Sequence, residues 1–260
     1  MNAEIYQHFR KEEASTIDAL AEQLATADSE YRPVLTDFLD PRQTYIAHVL
    51  IGSQDAVIGH SFGGYPHAER RRVVFAPSYL EPQPEDYAIA LLTIKYPQKF
   101  AELHHSDILG TLANLGLERG VFGDIITDGS TWQFATTQPM SDWLKTNVTK
   151  IGRISVRLED TPLTYAVHPL SEWEPLITTV ASMRLDAIVS HVFSMSRTRA
   201  KALIEAGKVR VNFATESRPD MELAAHDMVS VRGFGRIRLH HLLGTTKKER
   251  QRVNFDVLHK

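Results

Sequence analysis

The spacing of hydrophobic positions changes along the chain. Ile5, Phe9, Ile17, Leu20 and Leu24 recur at helical intervals and predict a helix over residues 4–27, stopped by Asp28, Ser29 and Pro33. Asp40 followed by Pro41 predicts a second helix over residues 41–51, with an aspartate cap and proline in the first turn. Val57, Ile58 and His60, then Val73, Val74, Phe75 and Ala76 closed by Pro77, read as extended segments around a glycine-rich turn. From Tyr87 onward a strand (87–94) is followed by a helix (106–115) capped by Ser106 or Asp107. Strands at 124–127 and 131–135 flank Asp128-Gly129, and a helix (140–148) and a last strand (154–158) follow. The order β-α-β-β-α-β is ferredoxin-like.

The last third changes again. Leu185, Ile188, Val189, Val192 and Phe193 form one helical stripe. Ser196 is placed to cap a second helix over 197–206, with Gly207 at its left-handed end. Alternation then predicts strands at Val209–Val211 with Phe213, at 227–232, at Ile237 and Leu239, and at Val253, Phe255 and Val257. A connection over 244–250, carrying Lys247 and Lys248, links the last two. The proline-bearing stretches 80–85 and 160–175 read as linkers. The expected fold is α+β: a small N-terminal mixed domain (1–80), a ferredoxin-like βαββαβ middle domain (85–160) and a C-terminal domain (181–260) of two helices and a β-hairpin.

Composition narrows the function. The chain has 260 residues, 43% hydrophobic and 23% charged, as in ordinary folded domains. It has no run of 18 apolar residues, its first ten residues lack an apolar signal core, and cysteine is absent. Disulfides and thiolate chemistry are thereby excluded, and a cytoplasmic protein without membrane contact is expected. The net charge of −3 hides an asymmetry: residues 181–260 carry 15 Lys and Arg against 8 Asp and Glu, the remainder 14 against 24. A basic third on an acidic body is the distribution of a nucleic-acid-binding module carried by another domain.

The chemistry follows the charge. Ser196, Arg197 and Thr198 at a helix start combine unpaired backbone N–H groups, a hydroxyl and a cation, which suits a phosphate. Lys201 extends this by one turn, Lys208, Arg210 and Arg232 lie at nearby strand positions, and Arg236, Arg238 and Arg252 face out of neighbouring strands. The competing reading is a solvated charged surface. Arg70, Arg71 and Arg72 read equally as phosphate contacts or as charge at a strand entry. Tyr87, Trp132 and Phe134 read as stacking platforms or as core, and Phe234 between two glycines is expected to be open enough to stack on a base. Arg184-Leu185-Asp186 matches the catalytic tripeptide of pseudouridine synthases only superficially, since it opens a helix of the basic third; Asp186 is then expected to cap that helix or pair with an arginine. No glycine-rich nucleotide loop is present, and neither His104-His105 nor His240-His241 converges on one ion. No catalytic residue, metal or cofactor is expected.

Met183-Arg184-Leu185-Asp186-Ala187, the run from Ser196 to Asn212, residues 227–232 and Gly233-Phe234-Gly235-Arg236 resemble the S4-type RNA-binding domain. Phe213 stands where that family has a glycine after the asparagine, so the hairpin there is expected to differ. Leu35-Thr36-Asp37-Phe38-Leu39-Asp40-Pro41-Arg42, Phe62-Gly63-Gly64-Tyr65-Pro66-His67-Ala68-Glu69-Arg70, His104-His105-Ser106-Asp107-Ile108-Leu109-Gly110, and Leu115-Gly116-Leu117 with Phe122-Gly123-Asp124-Ile125 resemble signatures of bacterial YlmH-type proteins. Ser106 departs from the arginine often found there. The resemblance implies a non-catalytic factor that grips structured rRNA and tRNA through its S4 domain, on the large ribosomal subunit, in rescue of stalled peptidyl-tRNA complexes. It implies contacts from Arg184, Ser196, Arg197, Thr198, Lys201, Lys208, Arg210, Asn212, Arg232, Arg236 and Arg238. A monomer is expected. The alternatives are an RNA-modifying enzyme with its site in residues 1–160, and an adaptor that joins division-associated proteins.

Overall fold

The computed structural model describes residues 9, 11–52, 56–170, 173–246 and 249–259. Helix α1 (Ala14–Glu30) buries Ile17, Leu20, Ala21, Leu24 and Ala27 on one stripe and follows a single 3-10 turn, Lys11–Glu13. The expected start of this helix at 4–8 and 10 lies outside the described residues. After β1 (Val34–Leu35) comes α2 (Pro41–Ile51). It opens on a reciprocal cap: Gln43 N donates to Asp40 Oδ1 at 2.8 Å and Asp40 N donates to Gln43 Oε1 at 2.9 Å. Strands β2 (Val57–Phe62) and β3 (Arg72–Pro77) complete an antiparallel sheet ordered β1-β3-β2. The two helices cover one face of it through Ile17, Leu24, Ile46, Leu50, Val57, Val73 and Phe75.

The middle segment runs β4 (Ile89–Lys95), α3 (His105–Ala113), β5 (Phe122–Thr127), β6 (Trp132–Thr137), α4 (Ser141–Asn147), a small hairpin β7 (Lys150–Ile151) and β8 (Ile154–Ser155), then β9 (Arg157–Thr161). The sheet order β5-β6-β4-β9, antiparallel throughout, is the ferredoxin-like arrangement. Ile108, Leu112, Leu144 and Val148 of the helices bury against Leu92, Ile94 and Phe134. Two local expectations change. Helix α3 is capped at His104, whose N–H donates to Asp107 Oδ2 at 3.2 Å, rather than at Ser106 or Asp107. The last strand begins at Arg157, because Ile154–Ser155 folds back on Lys150–Ile151.

The open faces of these two sheets meet. Phe38, Val74 and Ala76 share a core with Tyr87, Ile89 and Ala135. The described residues up to Leu170 therefore form one compact unit, layered helices, sheet, sheet, helices. The proline stretch 80–85 leads into a 3-10 turn, Pro84–Tyr87, which delivers Tyr87 to the shared core.

The second unit begins at the described residue Trp173. It contains β10 (Trp173–Val180), α5 (Leu185–Val192), α6 (Arg197–Glu205), β11 (Val209–Val211), β12 (Ala214–Thr215), β13 (Met228–Val231), β14 (Gly235–Thr245) and β15 (Gln251–His259). One antiparallel sheet takes all six strands in the order β10-β15-β14-β13-β11-β12. Residues 173–180 were expected as linker and helix approach; they are an edge strand. Pro175 is compatible with that position because an edge strand needs ladder bonds on one side only. Leu185, Ile188, Val189, Ala200 and Ile204 of the two helices bury against Val209, Val229, Ile237, Val253 and Phe255. Each of these Val, Leu, Ile and Phe side chains contributes roughly 1.5–3 kcal/mol when fully buried. Lys247 and Lys248 lie outside the described residues. No described helix is long and apolar enough to cross a membrane.

Candidate nucleic-acid interface

The predicted cluster at the start of α6 forms as its sequence dictates. Ser196 Oγ accepts from Arg199 N at 3.2 Å, and Gly207 closes the far end at φ +67°. Ser196, Thr198 and Lys201 are exposed around this helix start. Arg197 is different. Its Nη2 donates to both carboxylate oxygens of Asp186 at 2.9 Å, and Arg184 Nε approaches the same carboxylate at 3.4 Å. Asp186 is wholly buried, whereas the Arg197 side chain is 54% exposed. Burial alone would lift the Asp186 carboxyl, but the hydrogen bonds and charge of Arg197 and Arg184 outweigh it and hold the group below the usual carboxylate range. The Arg184-Leu185-Asp186 tripeptide is thus a docking point for α6 on α5, with one carboxylate orienting two cations toward the helix surface.

The strand cations do not join this cluster. Because α5 and α6 cover one face of the sheet, residues alternating with Val209, Val211, Val229, Val231 and Ile237 lie on the other face. The register puts Arg210, Ser230, Arg236, Leu258 and Trp173 in one transverse row, with Arg238 and Asp256 opposite each other in the next. The single phosphate site expected from a helix cap plus strand faces is therefore two surfaces, on opposite sides of one sheet. Lys208 and Arg232 sit at the rim, where Arg232 N donates to Lys208 O at 2.9 Å. The amide of Asn212 is bound at both ends to the scaffold: Nδ2 donates to Asp227 Oδ1 at 2.8 Å and Oδ1 accepts from Met228 N at 2.9 Å.

Sequence reasoning missed Trp173. The Arg238 guanidinium lies 4.4 Å and that of Arg236 5.4 Å from its ring centre, and Arg236 is also 5.9 Å from the Phe213 ring. The hairpin at Asn212-Phe213 is a two-residue turn in which both residues take positive φ, +49° and +68°. Phe234 is less open than expected, being packed between Phe193 at 5.9 Å and Arg199 at 5.1 Å.

In the first unit the arginine triplet resolves against a phosphate role. Arg70 donates through Nε to Phe122 O at 2.9 Å and through Nη2 to Phe38 O at 2.6 Å. Arg72 donates to Thr36 O at 2.8 Å, Tyr87 O at 2.8 Å and Ala88 O at 3.0 Å. Both side chains are buried, and desolvation lowers the Arg70 pKa to about 10. Asp124 gathers the same region: Tyr65 OH donates to it at 2.8 Å, Glu69 N at 2.6 Å and Arg70 N at 3.1 Å. Burial, with the neighbouring Glu69 carboxylate, raises the Asp124 carboxyl despite these bonds. Gly63 and Gly123 are required by contact: a Cβ would come within 2.4 Å of Ala68 Cβ at the first and 2.8 Å of Phe38 at the second. Tyr87 and Phe134 are core residues, and Trp132 is packed against the core.

Three family models match successive parts of the chain: "YlmH, N-terminal" over residues 12–80, "Putative RNA-binding domain in YlmH" over 82–165, and "S4 domain" over 183–229. The chain is 36% identical over 254 residues to the ribosome-associated protein quality control protein P2 of Bacillus subtilis (strain 168), covering 98% of each protein. A solved structure, the cell division protein ylmH from Streptococcus pneumoniae, is 35% identical with a TM-score of 0.54, and covers 63% of this chain and 99% of its own. The segments that match the first two models are the ones tied together by Asp124, Arg70 and Arg72, and the third coincides with the helix pair and its first strands. The chain belongs to the YlmH family.

Proposed function

We propose that this protein is a non-catalytic, ribosome-associated RNA-binding factor of the cytoplasm. Its S4 domain grips structured rRNA and tRNA, on the large ribosomal subunit, during rescue of stalled peptidyl-tRNA complexes. The observation that carries this reading is the α6 start. There a capped helix end, Thr198 and Lys201 stand exposed beside Arg197 and Arg184, both oriented by the buried Asp186. Such a surface recognises phosphate geometry rather than base edges, as shape-reading RNA modules do. The name of the Bacillus relative supports the ribosomal setting. The contacts proposed on this side are Arg184, Ser196, Arg197, Thr198 and Lys201, with Lys208 and Arg232 at the rim. The three segments 1–80, 85–160 and 181–260 are proposed as functional divisions, the first two acting as one body. In-cell RNA crosslinking with sedimentation on a ribosome gradient tests the proposal. Crosslinks concentrated on large-subunit rRNA and tRNA, with co-sedimentation, are the expected result; protein left at the top of the gradient without RNA overturns it.

A second reading has one observation in its favour, the cell-division name of the Streptococcus structure. It treats the acidic first unit as an adaptor for division proteins. It predicts that such partners co-purify after nuclease treatment, and loss of those partners together with the RNA would refute it.

A further inference from the structure

Phe213 poses a physical problem. A bulky aromatic residue occupies a hairpin position at φ +68°, where glycine or asparagine is favoured and a large side chain is strained. Its ring is nevertheless 41% exposed, so core burial does not compensate the strain. Instead it stands 5.9 Å from Arg236, which lies 5.4 Å from Trp173, which in turn lies 4.4 Å from Arg238. The result is a ladder of alternating rings and guanidiniums across the sheet face turned away from α5 and α6. Arg210 stands in the same transverse row as Arg236 and Trp173. Asp256, an acid of this face, accepts from His240 Nε2 at 2.7 Å and lies 3.9 Å from Arg238 Nη1.

We propose that this outer face is a second RNA site, which takes unpaired nucleotides. Bases stack at the Phe213 and Trp173 rings and phosphates are drawn to Arg210, Arg236 and Arg238. The chemistry fits: every base has a π-face, so rings bind single strands with little sequence preference. Arg236 Nη2 donates to Met228 Sδ and Arg238 Nη1 lies 3.9 Å from Asp256, so both guanidiniums are held on the face that a nucleic-acid backbone would approach. A duplex buries its base faces and cannot use the rings; an unstacked loop or single-stranded end can. Strain held at an exposed ring is the signature of a position kept for binding rather than for the fold. The inference rests on the RNA-binding reading above and adds to it the class of RNA taken by each side of the sheet.

The test uses the full-length protein, an eight-nucleotide oligoadenylate and a twelve-base-pair RNA hairpin with a short closed loop. Phe213→Gly relieves the turn, so its thermal midpoint should equal or exceed that of the wild type. Its affinity for the oligoadenylate should fall about 5-fold or more, within the range for losing a stacked base, while hairpin affinity stays within about 2-fold. Trp173→Leu keeps apolar cover on the strand and should give the same selective loss. Unchanged oligoadenylate affinity in both variants overturns the proposal, as does an equal loss for both RNAs or a lowered midpoint for Phe213→Gly. Wild-type protein that binds the hairpin but not the oligoadenylate overturns this inference alone. Binding of neither RNA overturns the RNA-binding reading as well.

Discussion

Arg72 and Arg236 both sit on antiparallel strands, one in each unit, and meet opposite fates. Arg72 is buried and donates to three main-chain carbonyls. Arg236 lies on an outer sheet face between two aromatic rings. The difference lies in the supply of backbone acceptors. Where the two sheets of the first unit meet, the carbonyls of Thr36, Phe38, Tyr87 and Phe122 accept from a forked guanidinium, which pairs several at once, and Ala88 O accepts from Arg72 as well as from Gln138 N. In the second unit six strands share one sheet, and Arg236 and Arg238 turn to rings and Arg184 and Arg197 to Asp186, while Arg250 Nη2 donates to a main-chain carbonyl, Thr179 O, at 2.9 Å.

The sharpest way to break this comparison is to remove one arginine of each kind. Arg72→Met should destabilise the first unit by about 3 kcal/mol, because the Thr36 and Tyr87 carbonyls lose the Arg72 donor. Arg236→Met should cost less than about 1 kcal/mol. Urea unfolding followed by tryptophan emission measures both, and equal losses would refute the distinction. Next in size is Arg197→Ala. It should cost about 2–3 kcal/mol, somewhat below the ~3–5 for breaking a fully buried pair, because Arg184 stays near the Asp186 carboxylate. Arg197 is therefore a poor probe of phosphate contact by itself. Lys201→Ala with Lys208→Ala is the cleaner probe: stability should stay within about 0.5 kcal/mol, and the salt slope of RNA binding should fall by about 2. A salt titration that shows an unchanged slope would remove these two lysines from the interface.

The smallest effect is on pH dependence, and it should have opposite signs in the two units. Asp124 and Asp40 have raised folded-state pKa values, each with burial as the largest cause. Folding then takes up protons, so their contribution becomes more favourable as pH falls from neutrality toward the ordinary aspartate value of 3.8. Asp186 is held below 3.8, so its contribution is complete above that value and is lost as pH falls through its folded pKa. Hydrogen exchange between pH 7 and about pH 4 should show protection rising in the first unit relative to Asp124→Asn, with only a small part of the Asp186 contribution yet lost.

Much of this architecture was legible because local signals agreed with the final packing. Asp40 and Pro41 mark the α2 start, Ser196 and Gly207 bracket α6, and Asp128-Gly129 marks the β5–β6 hairpin. The alternative given for Asp186, pairing with an arginine, describes its place in the structure. What was not legible depends on distant partners. Three consecutive arginines look like surface, and only Phe38, Phe122 and Tyr87, brought from elsewhere in the chain, show why two of them are buried. Residues 173–175 fall in the stretch 160–175 that its prolines mark as linker, yet an edge position tolerates Pro175 and gives the sheet Trp173. The strand cations looked like one cluster with the helix cap until the pleat put them on the other side of the sheet.

The core shared by Phe38, Val74, Ala76, Tyr87, Ile89 and Ala135 has a practical consequence for anyone dissecting the chain. Separately expressed fragments cut between Leu80 and Pro84 would each carry an uncovered apolar sheet face and should be sticky alone. Co-expressed, they should find each other and rebuild the four layers, as the halves of a split reporter do.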